Sequence, residues 1–79
     1  MMYGVYAVLD KKTGYLPPQI DLNDASAIRN FNHACRSTDS LMYSSGSDYE
    51  LYKIGEYNTD NGSFELIEKE FLANGEDHS

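Results

Sequence analysis

The stretch DYELYKIGEYNTDNGSFELI, residues 48–67, decides the fold. Asp48 to Tyr57 alternates large side chains as a strand does, with Tyr52 and Ile54 on one face and Tyr49, Leu51 and Tyr57 on the other. Asn58-Thr59-Asp60-Asn61-Gly62 interrupts it as a turn, because Asn-Gly is the dipeptide best suited to positive φ. Ser63 to Ile67 returns as a second strand, so the stretch reads as a hairpin. From Glu68 the alternation fades and charge rises, with Phe71-Leu72 as the last apolar pair. A single domain over residues 1–72 and an acidic flexible tail over 73–79 are expected.

A hairpin alone is marginal in water and needs more strands or a helix against it. The N-terminal run MYGVYAVL, residues 2–9, supplies a strand rich in aromatic and β-branched residues. It is apolar on both faces: Tyr3, Val5, Ala7 and Leu9 on one, Met2, Tyr6 and Val8 on the other. Such a strand is central in a sheet or buried by a partner chain on its second face. Asp10-Lys11-Lys12-Thr13-Gly14 then turns the chain, and Pro17-Pro18 forces an extended connection. Asn23 or Asp24 caps a helix over Ala25 to Arg36, a stretch without Gly or Pro. Ala27, Ile28, Phe31, Ala34 and Cys35 share one stripe, with Phe31 as its anchor on the sheet. Leu41-Met42-Tyr43 adds a possible short strand. The order β-α-(β)-β-β predicts an α+β fold: a small antiparallel sheet of three to four strands with one helix packed on a face.

The chain has 79 residues, 41 % of them apolar and ten aromatic, which excludes a disordered polymer despite the net charge of −7. No apolar run reaches the roughly 20 residues that span a bilayer, so no membrane partner is expected. Residues 1–9 carry no basic segment and no small-residue cleavage site, so no signal peptide is expected and the module reads as intracellular. Charge is uneven. Residues 1–46 balance four bases against four acids, whereas residues 47–79 hold nine acids and two lysines. A field of this sign repels phosphates at long range.

Catalytic constellations are scarce. His33 and Cys35 point to different sides of the helix, and Cys35 reads as a small core residue. Asn58–Gly62 has calcium-ligand residue types, but the twelfth position from Asn58 is Lys69 instead of glutamate. No metal, cofactor or enzymatic activity is expected. Gly55 inside its strand marks a bulge or a close approach by another backbone. What stands out is tyrosine, seven of 79 residues, mostly on or beside strands. Such rings either build the core with hydroxyls at the rim or form a stacking platform for bases. As a platform, Tyr6, Tyr43, Tyr49, Tyr52 and Tyr57 would hold bases, while Lys11, Lys12, Arg29, Arg36 and Lys53 would meet phosphates.

Three segments carry a resemblance: YGVYAVLDKKTG (residues 3–14), DLNDASAIRNFNH (21–33) and DYELYKIGEYNTDNG (48–62). Together they resemble the small nonstructural protein of gokushovirus-type microviruses, phages with circular single-stranded DNA genomes. The likeness spans most of the chain and leaves out residues 37–47 and the acidic tail. It implies a phage protein of the bacterial host cytoplasm, acting in DNA binding or genome replication, and brings no catalytic motif. Two function classes follow. One is a module that binds single-stranded DNA; the other is an acidic interaction module that docks on a host or viral replication or assembly protein without touching DNA. In either case a homodimer or larger assembly is expected, because one helix covers one sheet face and the first strand is apolar on both.

Overall fold

In a computed structural model, residues 1–36 and 46–75 are described. Nine-residue β1 (Met2–Asp10) lies inside one antiparallel sheet. On one side it pairs with β4 (Tyr49–Asn58), and β4 in turn pairs with β5 (Ser63–Asn74). On its other side it pairs with two short strands, β2 (Gly14–Tyr15) and β3 (Gln19–Asp21). The single α-helix among the described residues, α1 (Asp24–Arg36), packs across one face. The fold is thus α+β, and it is mostly strand. Among the described residues no helix is long and apolar enough to cross a membrane.

The doubly apolar β1 is central, as its composition requires. The sheet has five strands, where three to four were expected. β2 and β3 are the addition: Gly14 takes φ 116° to start the return, and Pro17-Pro18, which lack amide donors, interrupt the returning edge between them. Leu16 still donates its amide to the Val8 carbonyl at 2.8 Å. The short strand suggested for Leu41–Tyr43 falls outside the described residues.

The hairpin turn forms as read, with Gly62 at φ 72° and its amide bonded to the Asn58 carbonyl at 2.8 Å. β5, however, runs past Ile67 to Asn74. Its register against β4 slips between Gly55↔Leu66 and Lys53↔Glu70, so Ile67, Glu68 and Lys69 bulge, which is why strict alternation is lost there. The expected tail boundary at residue 73 therefore moves. Ala73 pairs with Leu51 and is buried in the core, and Gly75 donates its amide to the Tyr49 carbonyl at 2.9 Å.

Asn23 is the N-cap: its Oδ1 accepts the Ser26 amide at 2.8 Å. Ala27, Phe31 and Cys35 are buried against Tyr6, Tyr49, Leu51 and Ala73, with Val8, Ile28 and Leu72 alongside. This is the main core. Burial raises the Cys35 thiol pKa, as expected of an inert core residue.

The opposite sheet face follows from register. Tyr3 faces Tyr57, Val5 faces Gly55 and Ala7 faces Tyr52, while Lys53 sits opposite Tyr6 on the helix side. Ile54 is an extra residue with no partner on β1, and it inverts the alternation of β4. Tyr57 thereby emerges on the same face as Tyr52, not on that of Tyr49 and Leu51. Gly55 is required at this point, because a Cβ there would lie 2.7 Å from the Glu65 carbonyl oxygen. Both a bulge and a close approach occur.

Candidate nucleic-acid interface

Tyr6 and Tyr49 are core residues, which corrects their assignment to a base-stacking surface: a buried ring has no face to offer. Tyr6 also has a structural task, donating its phenol to Asp24 Oδ1 at 2.6 Å and fixing the first turn of α1 to the sheet. Gly4 makes room for that ring, since a Cβ at Gly4 would collide with it. Burial, then the Asp24 carboxylate, raise the Tyr6 pKa well above its ordinary value. Tyr43 lies outside the described residues.

The cations expected to meet phosphates do not form one patch. Lys53 lies on the helix face, with Nζ 3.5 Å from Asp24 Oδ1. Lys11 reaches Glu50 at 3.5 Å and Lys12 reaches Asp48 at 3.3 Å, both at the β1–β2 end. Arg29 and Arg36 stand with His33 on the exposed side of α1, across the sheet from Tyr52 and Tyr57. A strand held by the arginines would not reach those two rings.

The sheet face away from α1 does gather aromatic rings. Tyr52 lies between Tyr15 and Phe71, with centroids 6.1 and 5.7 Å away and planes inclined at 71° and 73°. Three strands contribute one ring each, because Tyr15 belongs to β2, Tyr52 to β4 and Phe71 to β5. Lys69 Nζ sits 4.9 Å from the Tyr15 centroid, a cation over a π face. Tyr52 donates its hydroxyl to Glu50 Oε1 at 3.0 Å, and that bond, more than burial, raises its pKa. Nearer the hairpin turn, Tyr57 and Phe64 pack at 4.9 Å, followed by exposed Leu66. Among the described residues no other element lies over this face.

Sequence reasoning found Tyr52 and Tyr57 and missed Tyr15, Phe64, Phe71 and Lys69 as members of the surface. Alternation marks Phe64 as one face of β5. Lys69 lies in the bulge and Phe71 beyond it, where that parity no longer applies. A separate cleft of about 350 Å³ between α1 and the β2–β3 edge is lined by Leu16, Pro17, Phe31 and Ala34 and gathers no cations among the described residues.

Rings presented at about 6 Å intervals, a lysine over the outermost one and a second lysine near the same end are the parts of a small stacking surface. An uncovered apolar sheet face is also what a protein partner requires. No curated protein and no solved structure matches the chain. A family model does match, over residues 3–78, and on that match the chain belongs to the Phage ORF5 protein family.

Proposed function

We propose that this phage protein is a nonenzymatic, gokushovirus-type factor that handles single-stranded DNA during genome replication in the host cytoplasm, and that the strand crosses the Tyr15–Tyr52–Phe71 row. The observation that carries the reading is that row, on a face without a covering element among the described residues. Only unpaired bases have faces free for aromatic rings, which favours single strands over duplex DNA. Lys69 and Lys11 lie nearest for phosphates, and Lys12 stands beside them. Arg29 and Arg36 have no part in this path.

The test is titration of fluorescent oligo-dT and a matched duplex at low and physiological salt. Single-strand binding should weaken as salt rises, with a slope of about 0.7 per phosphate contact. Phe71→Ala and Tyr15→Ala, both at exposed positions, should each weaken it by about 1–3 kcal/mol. Absence of binding at low salt would refute the reading.

The second reading, docking on a host or viral protein, is favoured by one observation: Leu66 and Ile20 are exposed on the same face, and aliphatic side chains do not stack bases. Under that reading Leu66→Gln weakens partner capture while Phe71→Ala leaves oligonucleotide affinity unchanged.

A further inference from the structure

The uncovered face is large for a chain of this size. Tyr15, Ile20, Phe64, Leu66 and Phe71 are 46, 44, 62, 90 and 51 % exposed. Their register places them on one side of the sheet with the half-buried Tyr3, Tyr52 and Tyr57. An aromatic side chain carries about 150–250 Å² of buriable surface, so these eight present roughly 600–700 Å². The largest apolar patch on a monomer is usually about 300–600 Å². Two such faces in contact would bury roughly 1,200–1,400 Å², within the about 1,200–2,000 Å² of a stable complex.

We infer that a second copy of this chain docks on this face, sheet against sheet with the helices outside, and that single-stranded DNA competes with it for the same rings. The seam stands on the surface itself; the competition rests on the DNA reading. A second copy fits for two reasons. Lys69 lies over the Tyr15 ring, and Glu50 pairs with Lys11 at the same end of the face, so the net charge of −7 is not concentrated where the copies meet. The charges nearest the face carry both signs, Lys11 and Lys69 against Glu50, so self-docking does not oppose one sign to itself. A twofold pairing of one face with itself is closed, and it stops at two copies. Packed sheets stand about 10 Å apart, a gap that side chains alone fill, so a strand of DNA cannot lie between them. Occupancy by one ligand excludes the other.

The experiment is sedimentation of the full chain from low to high micromolar concentration, with and without oligo-dT. The wild type should convert from monomer to dimer and stop there. Leu66→Gln changes a side chain with almost no intramolecular contact, so folding, checked by circular dichroism, is retained. It should weaken the dimer at least tenfold, and Arg29→Gln on the far side of α1 should leave it unchanged. Oligo-dT should shift the wild type towards monomer, and Leu66→Gln should bind the oligonucleotide more tightly than wild type at concentrations where wild type is dimeric. A wild type that stays monomeric throughout, grows beyond two copies, or dimerises equally well with Leu66→Gln overturns the seam. An oligonucleotide that binds the dimer without dissociating it overturns the competition. If no oligonucleotide binds either protein, the DNA reading fails alone and the seam is judged by sedimentation.

Discussion

At the scale of single residues, Tyr6 joins the sheet to the helix through one hydrogen bond to Asp24. Tyr6→Phe removes the donor and keeps the ring, so it should destabilise by about 1–1.5 kcal/mol in denaturant titration. The value sits below that of a fully desolvated charged bond because Asp24 is 43 % exposed and water replaces the phenol. The same bond sets a pH dependence. The folded state holds the Tyr6 proton more tightly than the unfolded chain, whose tyrosines titrate near about 10. Its contribution is complete below that pH and declines above it, by up to about 1.4 kcal/mol per pH unit. Tyr6→Phe should therefore flatten the alkaline limb of the stability curve, and an unchanged limb refutes the assignment. A second residue-scale prediction concerns Glu56 and Glu65, which face each other across β4 and β5. Like charges directly opposite are unfavourable, so Glu65→Lys should raise the unfolding midpoint by about 0.2–1 kcal/mol of stability. A fall in the midpoint would mean that the pairing is not felt.

At the scale of elements, α1 contributes Phe31 as the largest side chain it buries. Phe31→Ala should destabilise by about 3–5 kcal/mol in thermal or chemical unfolding, enough to unfold a domain of this size at physiological temperature. A loss below about 1 kcal/mol would mean that the helix does not hold the sheet. The helix and its cap were legible because capping chemistry and apolar spacing act locally, on residues a few positions apart. So were β1, the hairpin turn and the need for Gly55. What escaped the sequence depends on pairing. β2 and β3 are two and three residues long and exist as strands only because β1 offers them a free edge. The faces of β4 were misassigned at Tyr57 because one bulged residue, Ile54, reverses every position after it. β5 appeared to stop at Ile67 because its own bulge over Ile67, Glu68 and Lys69 breaks the alternation. The candidate surface inherits these errors: Tyr6 and Tyr49 look like strand tyrosines of any kind until register turns them inward, Lys69 lies in a bulge and Phe71 beyond it.

At the scale of the whole molecule, the charge asymmetry sets the terms on which phosphate can approach. The excess of seven negative charges lies in residues 47–79, and two of its acids, Glu76 and Asp77, follow the last described residue. Cutting the chain from residue 73 would remove Ala73 from the core and Gly75 from its bond to Tyr49, and so would confuse repulsion with unfolding. Ending the chain at Gly75 avoids this, and changes the net charge from −7 to −5 by removing those two acids together with neutral His78 and Ser79. At low ionic strength the Debye length is about 30 Å, longer than the 21 and 18 Å short dimensions of the domain and comparable with its 40 Å length, so two extra charges are felt by the phosphates. Near physiological salt the length is about 8 Å, and most of that interaction is screened. Truncation after residue 75 should thus tighten single-strand binding by about two- to fivefold at low salt and leave it nearly unchanged at physiological salt. Fluorescence anisotropy with oligo-dT at the two salt concentrations reads the difference directly. An equal gain at both would show that the effect is not long-range repulsion, and a loss would place the final residues among the binding contacts.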